Sequence, residues 1–263
     1  MPAKPDYLGQ HFGDAFQDGD VAAAYQYRAP YPAATFALLA DLMQDEPRAA
    51  LDVGCGRGEI ARNLLPHVTQ VDALDPSAAM IAAGRAEPGG DDPRLRWIVG
   101  YAEDAPLAPP YALITAGQSL HWMDWDVVLP RFAAALSPHG KLAIVSTDET
   151  PPPWADGLRQ LIARHSTNQA YQPVDLIGEL AARGLFVREG EARTPPEPFA
   201  RTVEAYIAMF HSMSSLSRQR MGAEAATAFD RELRALVAPF ATEGTLPLEV
   251  AGWVTWGRPL VGT

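Results

Sequence analysis

Five short apolar runs, at 49–53, 68–74, 95–99, 111–116 and 141–147, recur through the middle of the chain, each bounded by Gly, Pro or Asp. Runs of that length and punctuation predict strands. Between them apolar residues take helical spacing, as in Phe36, Leu39 and Met43, then Ile60 and Leu64, then Leu129, Phe132 and Leu136. Strand and helix alternating in this way predict a parallel sheet covered on both faces. A ligand of such a sheet belongs at the carboxyl ends of its strands.

The rhythm changes after Thr147. Pro151-Pro152-Pro153 interrupts the chain, a helix follows on Leu158, Leu161, Ile162 and His165, and Pro195-Pro196-Glu197-Pro198 interrupts it again. Two helices are predicted between 201 and 240, the second on Phe229, Leu233 and Leu236, before a closing apolar strand at 248–256. The sequence carries no internal repeat and no low-complexity tract.

The first predicted strand ends in Leu51-Asp52-Val53-Gly54-Cys55-Gly56-Arg57-Gly58, with glycines at alternating positions before a helix. Such a turn lets a ligand approach the backbone closely. A dinucleotide fingerprint needs its third glycine one place later, where Glu59 would set a carboxylate near a pyrophosphate. Asp52, two residues before Gly54, suits instead the ammonium of an amino-acid moiety, which S-adenosylmethionine (SAM) has and NAD lacks. Asp75 ends the second predicted strand, 17 residues beyond Gly58 and just before Pro76, one strand-helix-strand unit away. A carboxylate there suits a ribose diol or the cap of the next helix.

These residues resemble the class I SAM-dependent methyltransferases, whose first motif reads acidic-x-G-x-G-x-G and whose second strand ends in a ribose-binding acid. Further segments agree in order. Gly100-Tyr101-Ala102-Glu103-Asp104-Ala105-Pro106-Leu107 is similar to the family segment that borders adenine, which implies roles for Ala102 and Glu103. The stretch from Ile114 through Gly117-Gln118 to His121-Trp122-Met123-Asp124 resembles a narrower, type 11-like branch of small-molecule enzymes similar to trans-aconitate methyltransferase. Tyr27-Arg28-Ala29-Pro30-Tyr31-Pro32 resembles that branch's Y-x-R-P-x-Y-P segment, with Ala29 where proline is common. Ser212 to Ser217 resembles its serine-rich helix start, and Trp256-Gly257-Arg258-Pro259 its closing strand.

The resemblance covers nearly the whole chain and implies a single Rossmann-like domain, with a mostly parallel seven-stranded sheet and a helical cap inserted before the last strand. Its parts would be an N-terminal helical segment at 1–48, a SAM-binding core at 49–147, and last strands with a substrate cap at 148–263, the cap itself at about 200–243. The implied cofactor residues are Asp52, Gly54, Gly56, Gly58, Asp75, Pro76, Ala102, Glu103, Gly117 and Gln118. The product would be S-adenosylhomocysteine.

Composition narrows the acceptor. The 263 residues are 48% hydrophobic and 20% charged, enough for one elaborated domain. With 32 acidic against 21 basic residues the net charge is −11, which repels nucleic acid; Arg218-Gln219-Arg220 reads as a solvated helix face. Cys55, the single cysteine, excludes an intramolecular disulfide and reads as packing under the turn. The start of the chain lacks an apolar leader, and no run approaches about 18 apolar residues. A cytoplasmic enzyme, monomer or homodimer, with a small-molecule acceptor and no membrane partner is the expectation.

Methyl transfer from a sulfonium is an in-line displacement that depends chiefly on holding the reactants close and dry. A carboxylate acceptor needs no base, whereas a hydroxyl benefits from one. His121 is the candidate base or positioning group, because it follows the fourth strand, four residues beyond Gly117. Packing of the loop is the competing role for His121. Tyr27, Arg28 and Tyr31 are candidates to close over the substrate, the guanidinium by a two-point contact with a carboxylate. Among the aromatic candidates Trp122, Trp125, Trp154 and Tyr171, Trp122 is preferred as a lining residue. His11, His67, His139, His165 and His211 read as surface or packing residues. Asp124 and Asp126 form the one carboxylate pair nearby, but Asp124 reads as a helix cap and no metal is expected. A SAM binder that transfers nothing, and a nicotinamide-dependent oxidoreductase, are the alternatives.

Overall fold

The computed structural model describes residues 19–170 and 174–260. His11 and Tyr171 lie outside the described residues. The five expected strands form as Ala49–Val53 (β1), Gln70–Asp75 (β2), Leu95–Val99 (β3), Tyr111–Gly117 (β4) and Leu136–Glu149 (β5). Leu136, expected to continue a helical stripe, already belongs to β5. The connecting helices are Gly19–Ala24 (α1), Ala33–Asp41 (α2), Glu59–Leu64 (α3), Ala78–Arg85 (α4) and Trp125–Ala135 (α5).

Beyond β5 the chain forms Ala155–His165 (α6), Leu176–Ala182 (α7), Phe186–Arg193 (β6), Glu197–Thr202 (β7), Val203–Phe210 (α8), Arg218–Met221 (α9), Ala223–Val237 (α10) and Thr245–Pro259 (β8). The sheet order is β3-β2-β1-β4-β5-β8-β6, and β7 pairs with the first part of β8. β1 to β5 are mutually parallel, while β8 runs antiparallel to β5, β6 and β7.

The sheet has eight strands rather than seven. β6 and β7 leave little trace in the sequence because both are edge strands with little apolar content: β6 buries Phe186 and is otherwise Arg- and Glu-rich, and β7 carries Pro198. The stretch from Ser212 to Ser217 also differs from the expected helix start. It closes α8 with a short 3-10 turn at Ser214–Leu216, and only Ser217 caps a helix, the four-residue α9.

Strand alternation builds two cores. Leu51, Val53 and Ile114 face α5 through Phe132 and Leu129, while Ala50, Leu113 and Val71 face α2 and α3 through Leu39, Ile60 and Leu64. A third apolar cluster lies away from these two. Trp154, Leu161, Phe210, Phe229 and Leu233 join α6, α8 and α10 over Leu246 and Leu248 of β8, and Trp154 Nε1 donates to the Tyr206 hydroxyl at 3.0 Å. The cap therefore has its own core, and it draws in α6 as well as residues 200–243. Because β2 and β3 lie on one side of β1 and β4 on the other, the strand order reverses beside β1, which opens a crevice at the strand carboxyl ends.

Candidate active site

The glycine turn fills that crevice. Gly54, Gly56 and Gly58 have φ of 62°, 55° and 70°, a region that costs other residues about 1 to 2 kcal/mol each. Their surroundings differ. A Cβ on Gly54 would lie 2.4 Å from Ser119 Cβ, and one on Gly58 would lie 2.4 Å from Trp97 of β3. At Gly56 nothing comes nearer than 3.5 Å, and that neighbour is the Tyr25 ring. Gly54 and Gly56 thus face the crevice, whereas Gly58 is a packing glycine between turn and sheet.

Two buried carboxylates hold the turn from below. Asp75 Oδ2 accepts from Gly56 N and Oδ1 from Ser77 N, both at 2.8 Å. Ser77, not Asp75, caps α4, its hydroxyl accepting from Met80 N. Asp52 Oδ1 accepts from Thr115 Oγ1 at 2.8 Å and Oδ2 from Ala61 N at 3.2 Å, so Asp52 occupies a free amide in the first turn of α3. Burial pushes Asp52 up to about 7, and the Asp75 charge adds to it against the two hydrogen bonds. Burial also raises Asp75 and, together with both carboxylates, lifts the Cys55 thiol well above its ordinary value. A thiol kept protonated is a packing group, not a nucleophile.

Two cavities meet here. The smaller runs along the strand ends and is lined by Gly54, Gly56, Asp75, Pro76, Ala102 and Glu103 among others. Glu103 also accepts from Asp124 N at 2.8 Å, tying this wall to the start of α5, which Asp124 caps through Asp126 N. The larger, about 1020 Å³, lies between the turn and the cap and is lined by Tyr31, Asp52, His121 and Trp122, with Thr147 and Glu149 of β5. Six residues line both: Tyr25, Arg28, Gly54, Gly117, Gln118 and Trp122.

The sequence-derived residues distribute between them. Arg28 reaches across to the cap, donating from Nε to Ser212 Oγ and from Nη2 to Ser212 O, both at 3.0 Å, and lies 4.3 Å from the Tyr25 ring centroid. Tyr31 is raised well above its ordinary pKa by burial, and its hydroxyl lies against Gly117, where a Cβ would approach it to 3.0 Å. His121 packs on Trp122 with ring centroids 4.5 Å apart. Gln118 adopts φ of 51° and donates to Thr147 Oγ1 at 2.8 Å. Tyr27 lines neither cavity and packs against the cap cluster. Trp125 and Trp154 are core residues.

Three of the other histidines have local partners. His139 bonds Asp45, His165 packs on Phe229, and His211 is buried between Leu216 O and Asp230. Among the described residues no group of three or more His, Cys, Asp or Glu side chains is arranged to hold a metal. None of the described helices is long and apolar enough to cross a membrane.

Several lining residues carry no mark in the sequence: Tyr25 and Met80 in the smaller cavity, and Glu149, Arg159 and Met209 in the larger. No local motif singles them out, because they converge from separate helices, turns and strand ends. The parity of Thr147 and Glu149, two residues apart on one strand face, is the one signal that could have found any of them.

Comparison with known proteins agrees with this architecture. Residues 50–140 match the family described as methyltransferase domain. An uncharacterised methyltransferase of Mycobacterium tuberculosis is 29% identical over 149 residues, 56% of this chain and 58% of the relative. A trans-aconitate 2-methyltransferase of Paracidovorax citrulli is 28% identical over 183 residues, 68% of this chain and 67% of the relative. The chain spans 58% of the length of the first curated relatives it matches. A solved structure from Anaeromyxobacter dehalogenans, assigned provisionally as a type II methyltransferase, is 26% identical and superposes with a TM-score of 0.62 over 88% of this chain and 97% of that one. The matched residues 50–140 hold the acidic-x-G-x-G-x-G turn and the strand-end Asp75, and with this sheet order they make the chain similar to the class I SAM-dependent methyltransferases.

Proposed function

We propose that the chain transfers a methyl group from SAM to a small-molecule acceptor, at a hydroxyl or carboxylate oxygen. The observation that carries this reading is the junction of the two cavities at Gly54, Gly117, Gln118 and Trp122. A cofactor along the strand ends and an acceptor under the cap would face each other there, as in-line displacement requires.

The residues present fit the cofactor. Asp75 spends one hydrogen bond per oxygen on backbone amides and keeps lone pairs toward the smaller cavity, the acceptor set a ribose diol needs. Asp52 lines the larger cavity beneath the turn, where it would meet the ammonium end of a cofactor reaching past Gly54, and Pro76, Ala102 and Glu103 line the side of the smaller one on which adenine would lie. When bound, SAM supplies an activated methyl on a sulfonium. Gln118, fixed by Thr147, and Trp122 order the handover point, while Arg28 and Tyr31 keep cap and turn together around the acceptor. His121 positions the acceptor and takes the proton of a hydroxyl; a carboxylate would not need it.

Thermal unfolding with SAM, S-adenosylhomocysteine and NAD in parallel tests the reading. A ligand at about 100 times its dissociation constant adds roughly 2.7 kcal/mol, a midpoint shift of about 5 to 10 °C at roughly 2 to 4 °C per kcal/mol. The first two ligands should raise the midpoint and NAD should not. Asp75→Ala should weaken SAM binding about tenfold to over a hundredfold, the worth of a charged-group hydrogen bond. A rise with NAD alone overturns the reading. SAM binding without S-adenosylhomocysteine release from any metabolite extract would leave a SAM binder.

A further inference from the structure

Resting on the methyltransferase reading, we infer that Glu149 selects acceptors carrying a hydrogen-bond donor, an amine or a hydroxyl, over polyanionic ones. The inference comes from accounting for the charged side chains around the larger cavity.

The cavity's four arginines are all engaged. Arg28 holds Ser212, Arg57 is paired with Glu87, Arg62 donates to the carbonyls of Arg57 and Pro88, and Arg159 is paired with Asp156. Three of its carboxylates are engaged too: Asp52 by Thr115 and Ala61, Glu59 by Tyr31 N, and Glu87 by Arg57. Glu149 is the exception. Its carboxylate lines the cavity and makes no hydrogen bond or ion pair within the described residues.

Its position is set by the fold. Glu149 ends β5, two residues beyond Thr147 on the same strand face, and Thr147 holds Gln118 at the junction of the two cavities. Two residues of strand span roughly 6.6 Å, so Glu149 stands one pleat farther toward the cap than the handover point. The backbone there is pinned by pairing with Val250 of β8, and Thr150 N donates to Glu249 O at 3.0 Å.

The nearest balancing charge does not fill the role of a partner. Arg201 of β7 is buried, lies outside the cavity lining, and acts on Glu149 only through space. Its Nη1 bonds to no described atom, and its guanidinium stacks over Phe199 at 5.0 Å. Desolvation by the surrounding protein raises Glu149, yet its side chain stays exposed in the open cavity, so an approaching N–H or O–H meets an accessible acceptor with no competing donor among the described residues. A ligand carboxylate at that place would instead face an unpaired like charge, which favours neither group. Uncommitted arginines, the usual signature of a polyanion site, are absent from the lining residues.

The test uses small metabolites separated by ion exchange into cationic, neutral and anionic pools. Transfer from methyl-tritiated SAM is measured with each pool for the intact chain and for Glu149→Gln and Glu149→Asp, after thermal shifts with SAM confirm that both variants fold and bind it. Methylation should appear with the cationic or neutral pool, fall at least about tenfold in Glu149→Gln, and be partly kept in Glu149→Asp. Product from the cationic pool identifies an acceptor that carries an amine for Glu149 to hold, and product from the neutral pool one that carries a hydroxyl there. Transfer confined to the anionic pool, or transfer from either other pool that Glu149→Gln leaves intact, overturns the inference while the methyltransferase reading stands. No transfer with any pool overturns both.

Discussion

The two cavities are built from different materials. The smaller one is lined by strand-end backbone and small residues: Gly54, Gly56, Gly100, Gly117, Pro76 and Ala102, with Asp75 bonded to main-chain amides. The larger one is lined by side chains from the turn, β5, α6 and the cap, with charged ones such as Arg57, Glu149 and Arg159 beside apolar ones such as Ile162, Met209 and Met213. On the first side, backbone geometry determines the shape, and a single added carbon changes it. On the second, shape depends on side chains that meet only after the cap's separate apolar core has closed. One side can stay constant while the other is altered, which is how a single fold serves many acceptors.

The sharpest way to break this comparison is at Gly58, which lines neither cavity. Gly58→Ala combines left-handed strain of about 1 kcal/mol with a Cβ 2.4 Å from Trp97. We expect a loss of roughly 2 to 4 kcal/mol in urea unfolding, partly relieved in a Gly58→Ala, Trp97→Leu double variant because the two sites share one contact. Strict additivity would mean that the clash is absorbed elsewhere and that the turn is softer than its geometry implies.

Asp52 offers an intermediate effect with a pH signature. Its folded pKa of about 7 lies above its ordinary 3.8, so the folded protein holds that proton more tightly than the unfolded chain. Stability falls as pH rises through that window, by up to about 1.4 kcal/mol per pH unit, and the loss is complete above it. Asp52→Asn should therefore show a shallower fall in melting temperature between pH 5 and 8, and should bind SAM more weakly at pH 8. Identical slopes in both proteins would remove the buried acid from the account.

The smallest effect is expected where the two sides are joined. Arg28→Lys loses the two-point grip on Ser212 while keeping the charge. A loss of about 1 kcal/mol in chemical denaturation follows. If stability is unchanged, the apolar contacts of the cap alone hold it to the body.

Much of the smaller cavity is legible in the amino-acid sequence. The alternating glycines, Asp52 just ahead of them, Asp75 at the end of the second strand, and the strand bounds at β1 and β3 are short-range features, written in neighbouring residues. Gly58 shows the limit of such features: it stands in the turn as expected, but its contact is Trp97, 39 residues away, and not the crevice. Tyr27 shows it again, since Tyr25, two residues earlier, takes the place on the cavities while Tyr27 turns into the cap core. Edge strands β6 and β7 leave almost no apolar signal because only one side of each is paired.

The sequence by itself determined the parallel core, the glycine turn and the two acids beneath it, because these follow from residues close together along the chain and from the few conformations such residues can take. Only the tertiary structure decided which charges face the acceptor. Arg28, Arg57, Arg62 and Arg159 are committed by partners up to 184 positions away, while Glu149 is left open. Whether a charged side chain is satisfied depends on distances in space, and those are set when cap and sheet come together.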